Sequence, residues 1–223
     1  PGGKICEVNG APGGPTVLTM RWVFDALYAE AGADLDARLA PVRQDVLARH
    51  FWRDGAVLDL HADPEASAAA IRDLAGPGGE AEFRAFSARA RRLFEGFLGP
   101  VMTAPRPDPA GIARALARRP GLLRDMAPGR SLAGLLERSF TDPRLPQLFG
   151  RYATYVGGAP HLSPALLALV WEAEAAGVWA LAGGLTALAA DIAELIGALG
   201  GEVTLGARIE RIETDGGLHR IDK

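Results

Sequence analysis

Apolar positions in the last third of the chain follow two periods. Leu185, Leu188, Ile192, Leu195 and Leu199 recur every three or four residues, which predicts a helix with one buried stripe. A short apolar run, Val178, Trp179 and Leu181, leads into it across the pair Gly183-Gly184. Beyond Gly200-Gly201, Val203, Leu205, Ala207, Ile209 and Ile212 approximate the period of two of a half-buried strand. Strand, glycine turn, helix and strand make the plan of a βαβ unit. Its turn is not G-x-G-x-x-G, so the motif alone does not establish a phosphate cradle.

The same reading extends upstream. Pro1-Gly2-Gly3 and Pro12-Gly13-Gly14-Pro15 exclude regular structure across themselves and serve as turns or as points of close backbone approach to a ligand. Trp22, Val23, Ala26 and Leu27 predict a short helix from Arg21 to Ala31, stopped by Gly32. Leu47 to Leu60 reads as a hairpin about Asp54-Gly55. With those two residues as its loop, Phe51 faces Leu58, Arg49 faces Leu60 and His50 falls opposite Asp59, and Leu47, Phe51, Leu58 and Leu60 make the apolar face. Residues 64–151 read as helices broken at prolines and glycines: 65–74, 80–98, 109–118 and 131–139. Phe83, Phe86, Ala90, Leu93, Phe94 and Phe97 form the apolar stripe of the second. Another helix is expected over 143–160, where Phe149, Tyr152, Tyr155 and Val156 share a side that walls a large apolar pocket or fills core. Ser163 as N-cap and Pro164 in the first turn then start a helix through Ala176 that carries Trp171.

Length permits one large domain or two small ones. No apolar run reaches the roughly 18 residues needed to span a bilayer, and PGGKICEVNG lacks an apolar signal core, so a soluble or peripherally attached chain is expected. Cys6 is the only cysteine, which excludes disulfides within the chain and cysteine zinc sites, and fits a reducing, cytoplasmic setting. The histidines lack metal-ligand spacing, so no metal is expected. His50 with Asp59 has the makings of the base half of a nucleophilic site or of an ordinary cross-strand polar pair, and no neighbouring motif supplies a nucleophile.

Charge sharpens the picture. From Arg84 to Arg151, 13 arginines meet five acids, a local balance of +8 in a chain of net -3. This asymmetry points to an anionic partner or to a solvated arginine face. Ile112, Leu116, Leu122 and Leu123, interleaved with Arg114, Arg118, Arg119 and Arg124, suit a membrane interface. Base-reading signatures and aromatic stacking platforms are missing, so an anionic membrane surface outranks nucleic acid.

PGGK at the start, GPTVLTM at 14–20, HFWRDGAVLDLHADP at 50–64, LFGRYATYVGGAP at 148–160, SPALLAL at 163–169 and GVWALAGGLTALA at 177–189 come in an order that resembles the bacterial phytoene-desaturase-type carotenoid oxidoreductases. Within that family the closest likeness is to the branch that introduces the C3,4 double bond into 1-hydroxy or 1-methoxy carotenoids. The resemblance implies an α/β (α+β) amine-oxidase-like flavoprotein that uses FAD, with a substrate domain inserted in a discontinuous flavin domain: 1–40 and 177–223 for flavin, 41–176 for carotenoid and membrane. It assigns Gly2, Gly3 and Lys4 to a loop beside the flavin, Gly14, Pro15 and Thr16 to the segment passing the isoalloxazine, Gly183 and Gly184 to the start of a helix under the cofactor, and Val203 to the adenine. Tyr152, Tyr155 and Trp171 are expected along the carotenoid tunnel. The family's N-terminal dinucleotide-binding motif and C-terminal flavin segment are not in the sequence, so the chain matches the middle of an enzyme roughly twice as long. Two other readings are a non-catalytic module that binds an apolar ligand or membrane without flavin, and a flavin amine oxidase, which the segment 148–160 argues against.

Overall fold

The structure is a computed structural model that describes residues 5–9, 11–13, 15–207, 211–215 and 218–222. In chain order it contains β1 (Cys6–Val8), β2 (Ala11–Gly13), α1 (Arg21–Glu30), α2 (Leu35–Leu39), β3 (Val42–Arg43), β4 (Val46–Phe51), β5 (Val57–His61), α3 (Pro64–Phe97), α4 (Pro109–Arg118), α5 (Gly121–Met126), α6 (Leu132–Ser139), α7 (Arg144–Gly150), α8 (Val170–Ala175), β6 (Trp179–Ala180), α9 (Gly184–Ala198), β7 (Arg211–Asp215) and β8 (Leu218–Asp222). A π-helical turn follows α3, and 3-10 turns follow α7 and precede α8. Among the described residues every sheet has two strands, paired β1 with β2, β3 with β6, β4 with β5 and β7 with β8. The chain therefore mixes many helices with small sheets. It divides into two compact units: unit 1 is Pro1–Leu18, Trp22–Val42 and Ala180–Lys223, and unit 2 is Thr19–Arg21 and Arg43–Trp179.

Unit 2 is organised around α3. Asp63 caps it, accepting from the Glu65 backbone N–H at 3.0 Å, and Pro64 occupies its first turn. The helix breaks at Gly76 (φ 76°, ψ 179°) before Pro77, a conformation that L side chains rarely adopt and that lets the chain turn and resume. This is the predicted break between 74 and 80. Beyond it Phe83, Phe86, Ala90, Leu93 and Phe97 are buried, and they pack with Leu58 and Leu60 of the hairpin, Leu132, Leu135 and Leu136 of α6, and Leu145, Leu148 and Phe149 of α7. Asp108 with Pro109, and Ser131, start α4 and α6 by the same capping chemistry. Ser163 does not cap the next helix: its carbonyl accepts from the Leu132 N–H, and Pro164 stands at the cap position of a 3-10 turn that becomes α8.

The hairpin forms one residue away from its expected register. The Trp52 N–H bonds the Ala56 carbonyl and the Gly55 N–H bonds the Trp52 carbonyl, so the loop holds three residues, with Gly55 at φ 84°. Arg49 then pairs with Asp59, His50 with Leu58 and Phe51 with Val57. Opposite residues share a face and a slip of one exchanges faces, so His50 joins buried Leu58 and Leu60 whereas Phe51 is 72% exposed. Asp59 is taken by a bidentate contact from Arg49, both distances 2.7 Å, so the expected His50–Asp59 pair does not form.

Unit 1 corrects four expectations. A strand does cross Pro12 and Gly13: β2 pairs antiparallel with β1, Glu7 opposite Pro12, and a two-stranded ribbon has outer edges where a proline need not donate. The strands flanking α9 do not share a sheet, because β6 pairs with β3 and β7 with β8, so no βαβ unit closes. The strand expected from Val203 is irregular through Ala207, and β7 begins at Arg211. The stripe of α9 is buried only at Leu185 and Leu188, while Leu199 is 65% exposed. Tyr28, with no exposed surface, fixes α1 to α9 by donating its hydroxyl to Asp191 Oδ2 at 2.6 Å. Arg38 holds the same carboxylate at 2.9 Å through Nε.

Candidate functional site

In unit 1 the side of α9 away from its leucine stripe is built of small residues. Thr186, Ala189, Ala190, Ala193 and Glu194 face Ile5, Val203 and Leu205 across a groove of about 560 Å³. Alanines leave the helix backbone close to the groove floor, and Val203 and Leu205 form an opposing apolar wall, a shape that accepts a flat apolar ring. Arg38 holds the Asp191 carboxylate below its usual range, against the opposing effect of burial. Burial, then the hydrogen bond to that carboxylate, push the Tyr28 phenol up, so this brace stays in one charge state across ordinary pH.

The expected cofactor residues fall in different places. Val203 lines the groove. Gly183 (φ 80°) and Gly184 (φ 67°) stand at the N-terminus of α9, where no side chain caps the helix and the space at the Gly184 Cβ position is open. Pro15 and Thr16 are exposed and do not line the groove. Gly2, Gly3, Lys4 and Gly14 lie outside the described residues.

Of the expected substrate residues, Tyr152 and Tyr155 meet edge to face, ring centroids 6.1 Å apart. Tyr152 is fully buried and packs on Phe149 at 6.2 Å, whereas Tyr155 is 56% exposed. Trp171 belongs to the core: it lies edge-on to Phe83 and Phe149, each at 5.6 Å, and its indole N–H donates to Ser87 Oγ at 2.9 Å. One side of it lines a smaller cavity of about 240 Å³ with Ser87, Arg91 and Glu172.

Beside the tyrosines sits a charged cluster that pattern reading passed over. Arg151 forms an ion pair with Glu174, donates to the Tyr152 hydroxyl at 3.3 Å and lays its guanidinium 4.6 Å from the centre of that ring. Glu174 is buried on α8. His50 shares this environment: burial, then the charge of Arg151, push its imidazole down to about 4, so it is neutral at physiological pH. Burial and then the charge of Glu174 raise both tyrosines. The available signal was an arginine and a glutamate each set inside an apolar helical stripe, at LFGRYATYV and VWEAEAAGV.

Folding also neutralises much of the basic middle. Among the described residues Arg84, Arg89, Arg91, Arg92, Arg114, Arg119, Arg144 and Arg151 have acidic partners, several of them, such as Glu65, Glu172 and Glu174, distant in sequence. Arg106, Arg118, Arg124, Arg130 and Arg138 are left without an ion pair, and Leu123 beside Arg124 is 51% exposed. No group of acids, histidines or cysteines able to hold a metal occurs among the described residues, and no helix there is long and apolar enough to cross a membrane.

No family model matches the chain. Three curated proteins named hydroxyneurosporene desaturase are similar along nearly all of it. That of Rhodobacter capsulatus is 47% identical over 95% of this chain, that of Cereibacter sphaeroides 44% over 97%, and that of Rubrivivax gelatinosus 43% over 95%. The chain spans 44%, 45% and 42% of their respective lengths. The ordered motifs thus pointed to the right relatives, and the matched part is less than half of each.

Proposed function

We propose that this chain is the middle portion of an FAD-dependent desaturase that introduces a C–C double bond, C3,4, into 1-hydroxy or 1-methoxy carotenoids, as a step of carotenoid biosynthesis. The observation that carries this reading is the 43–47% identity to the three hydroxyneurosporene desaturases, which runs through both units. At such identity the packed core and the substrate chemistry are expected to be shared, and in such a reaction the difficult step falls to a cofactor.

Unit 1 and unit 2 take different parts in this proposal. The groove of unit 1, with Val203 on its wall and the open Gly184 at the start of α9, fits part of an FAD: a flat ring between small side chains, and an uncapped helix N-terminus toward a phosphate or flavin oxygen. Bound FAD supplies the two-electron acceptor for removal of two hydrogens. Unit 2 supplies the apolar substrate surface, with Tyr155 at its exposed edge and Tyr152 and Trp171 fixing that edge from within the core. Its unpaired Arg118 and Arg124, with exposed Leu123 between them, support peripheral docking on an anionic membrane at the cytoplasmic face, where such a substrate dissolves.

The test is made on the longer natural protein. Purified, it should carry flavin absorption and should shift the spectrum of a 1-hydroxy carotenoid to longer wavelength by one conjugated double bond. A flavin-free protein that binds the carotenoid unchanged would establish the non-catalytic alternative instead. Docking is tested by vesicle flotation: binding should need anionic lipid and weaken with salt, and salt-insensitive binding to neutral vesicles defeats the docking proposal.

A further inference from the structure

One cavity of unit 2 is walled by arginine. It measures about 370 Å³ and is lined by Ala85, Arg89 and Arg92 of α3 and by Gly121, Arg124 and Asp125 of α5. Two of its three guanidiniums are held in place from behind. Arg92 grips Asp125 in a bidentate contact, Nε to Oδ2 at 2.6 Å and Nη2 to Oδ1 at 2.9 Å. Arg89 donates from Nε to the Asp125 carbonyl at 3.0 Å and from Nη2 to the Arg124 carbonyl at 3.1 Å, satisfying the C-terminal end of α5. These bonds use the same two nitrogens of each residue, and among the described residues Nη1 of both is left without a protein partner. Both side chains keep solvent exposure, 22% for Arg89 and 54% for Arg92, and neither contributes a buried unpaired atom. Arg124 is exposed and has no acidic partner. Asp125 is the one carboxylate of the lining, so three guanidiniums and one acid leave a balance of +2. Burial pushes the Arg89 guanidinium down; Asp125 opposes this and Arg92, Arg124 and Arg130 add to it, so a fourth arginine acts on the same group.

We propose that this cavity between α3 and α5 is a binding site for a phosphomonoester, supplied by a lipid headgroup at the membrane surface. It rests on the reading of unit 2 as the membrane-docking part of the chain and gives that docking a specific contact. Guanidinium N–H groups match phosphate oxygens in direction as well as charge. Arg89 and Arg92 are already oriented by Asp125 and the end of α5, so little side-chain freedom is lost when they bind. Arg124, tied to nothing, closes over the anion. Charge then selects among phosphates. A phosphomonoester carries about -1.5 to -2 near pH 7 and neutralises the cavity, whereas the single charge of a phosphodiester leaves half of the excess. A metal cation is repelled, and both oxygens of Asp125 are taken by Arg92. The lipid source follows from the neighbour of Arg124: Leu123 is 51% exposed on the same helix, an apolar side chain one position from the phosphate contact, as an interfacial segment presents to the boundary of headgroups and acyl chains.

The test measures flotation of the full-length protein with two kinds of phosphatidylcholine vesicle at matched zeta potential. One carries phosphatidic acid, a phosphomonoester, and the other phosphatidylglycerol, a phosphodiester. The wild type should bind the phosphatidic acid vesicles about three- to tenfold more tightly, the gain of one or two charge-assisted contacts at a partly wet site. Arg124→Gln removes an arginine without an acidic partner, and Gly121→Glu sets a carboxylate on the cavity wall where its Cβ meets open space. Both should bring the ratio near one. Arg138→Gln removes an unpaired charge outside the cavity and should weaken both vesicles alike, by about fivefold at most, with the ratio kept. A wild-type ratio of one, or a ratio that survives both cavity variants in protein folded by circular dichroism, overturns the site. Micromolar binding of glycerol 3-phosphate, read by calorimetry, assigns the cavity to a soluble phosphomonoester and overturns the lipid source. Failure of the wild type to bind either anionic vesicle overturns the docking reading itself.

Discussion

The pair Arg151–Glu174 gives a quantitative test of how unit 2 is held together. Its side chains are 30% and 5% exposed, so the carboxylate is out of water and the guanidinium only partly so. Removing the arginine strands Glu174 as an unpaired buried charge beside Tyr152. A fully buried orphan of this kind costs about 3–5 kcal/mol, and the partly wet arginine side lowers that to about 2–3 kcal/mol for Arg151→Met. Removing the acid is milder. With Glu174→Leu the guanidinium keeps the Tyr152 hydroxyl and ring and reaches solvent, so the expected cost is about 1 kcal/mol. Replacing both, Arg151→Met with Glu174→Leu, should return stability to within about 1 kcal/mol of the wild type, because no charge is left to desolvate. Urea unfolding of the full protein, followed by tryptophan fluorescence and analysed as a double-mutant cycle, measures all three and should yield a coupling of about 2 kcal/mol. Additive costs, or an Arg151→Met change below about 0.5 kcal/mol, would refute the claim that Glu174 depends on Arg151 for its burial.

Three further outcomes follow from the same geometry. His50 titrates near 4 when folded and near 6.5 when unfolded, so its contribution is complete above pH 6.5 and is lost as pH falls toward 4, by up to about 3 kcal/mol. A His50→Gln variant should flatten that part of the stability profile, and parallel profiles for variant and wild type would exclude it. Tyr28→Phe removes a 2.6 Å bond to a carboxylate that keeps Arg38, and should destabilise unit 1 by about 1–2 kcal/mol, read as faster hydrogen exchange in α9 with unit 2 unchanged. Gly184→Ala puts a Cβ into open space at φ 67°, a backbone cost of about 1–2 kcal/mol; if the flavin lies there, the 450 nm to 280 nm absorbance ratio of the purified protein should drop well beyond what that small loss of stability explains.

Helices were legible because their signals are local. The stripe Phe83–Phe97, the helices over 109–118 and 131–139 and the break between residues 74 and 80 each depend on a few neighbouring residues and appear where their residues predict them, whereas Ser163, the expected cap, does not cap its helix. The likeness to carotenoid desaturases was legible too, because ordered motifs need no coordinates. Register was not. Whether Asp54-Gly55 closes a two- or three-residue loop turns on one hydrogen bond, between Trp52 and Ala56, and that bond decides which of His50 and Phe51 enters the core.

The sequence by itself determined the helices from residue 64 to 139, their apolar faces, and which known proteins the chain is similar to, since these follow from local periodicity and from motif order. The helices expected over 143–160 and 163–176 instead divide into 3-10 and α-helical turns. Only the tertiary structure decided which charges matter. It withdrew eight arginines of the basic middle into ion pairs, several with acids far along the chain, and it took Asp59 from His50 and gave it to Arg49. It also brought the charge of Arg151 to bear on the His50 imidazole, about 100 positions earlier. The reason is that burial and Coulomb interaction depend on distance in space, which a one-dimensional pattern does not contain.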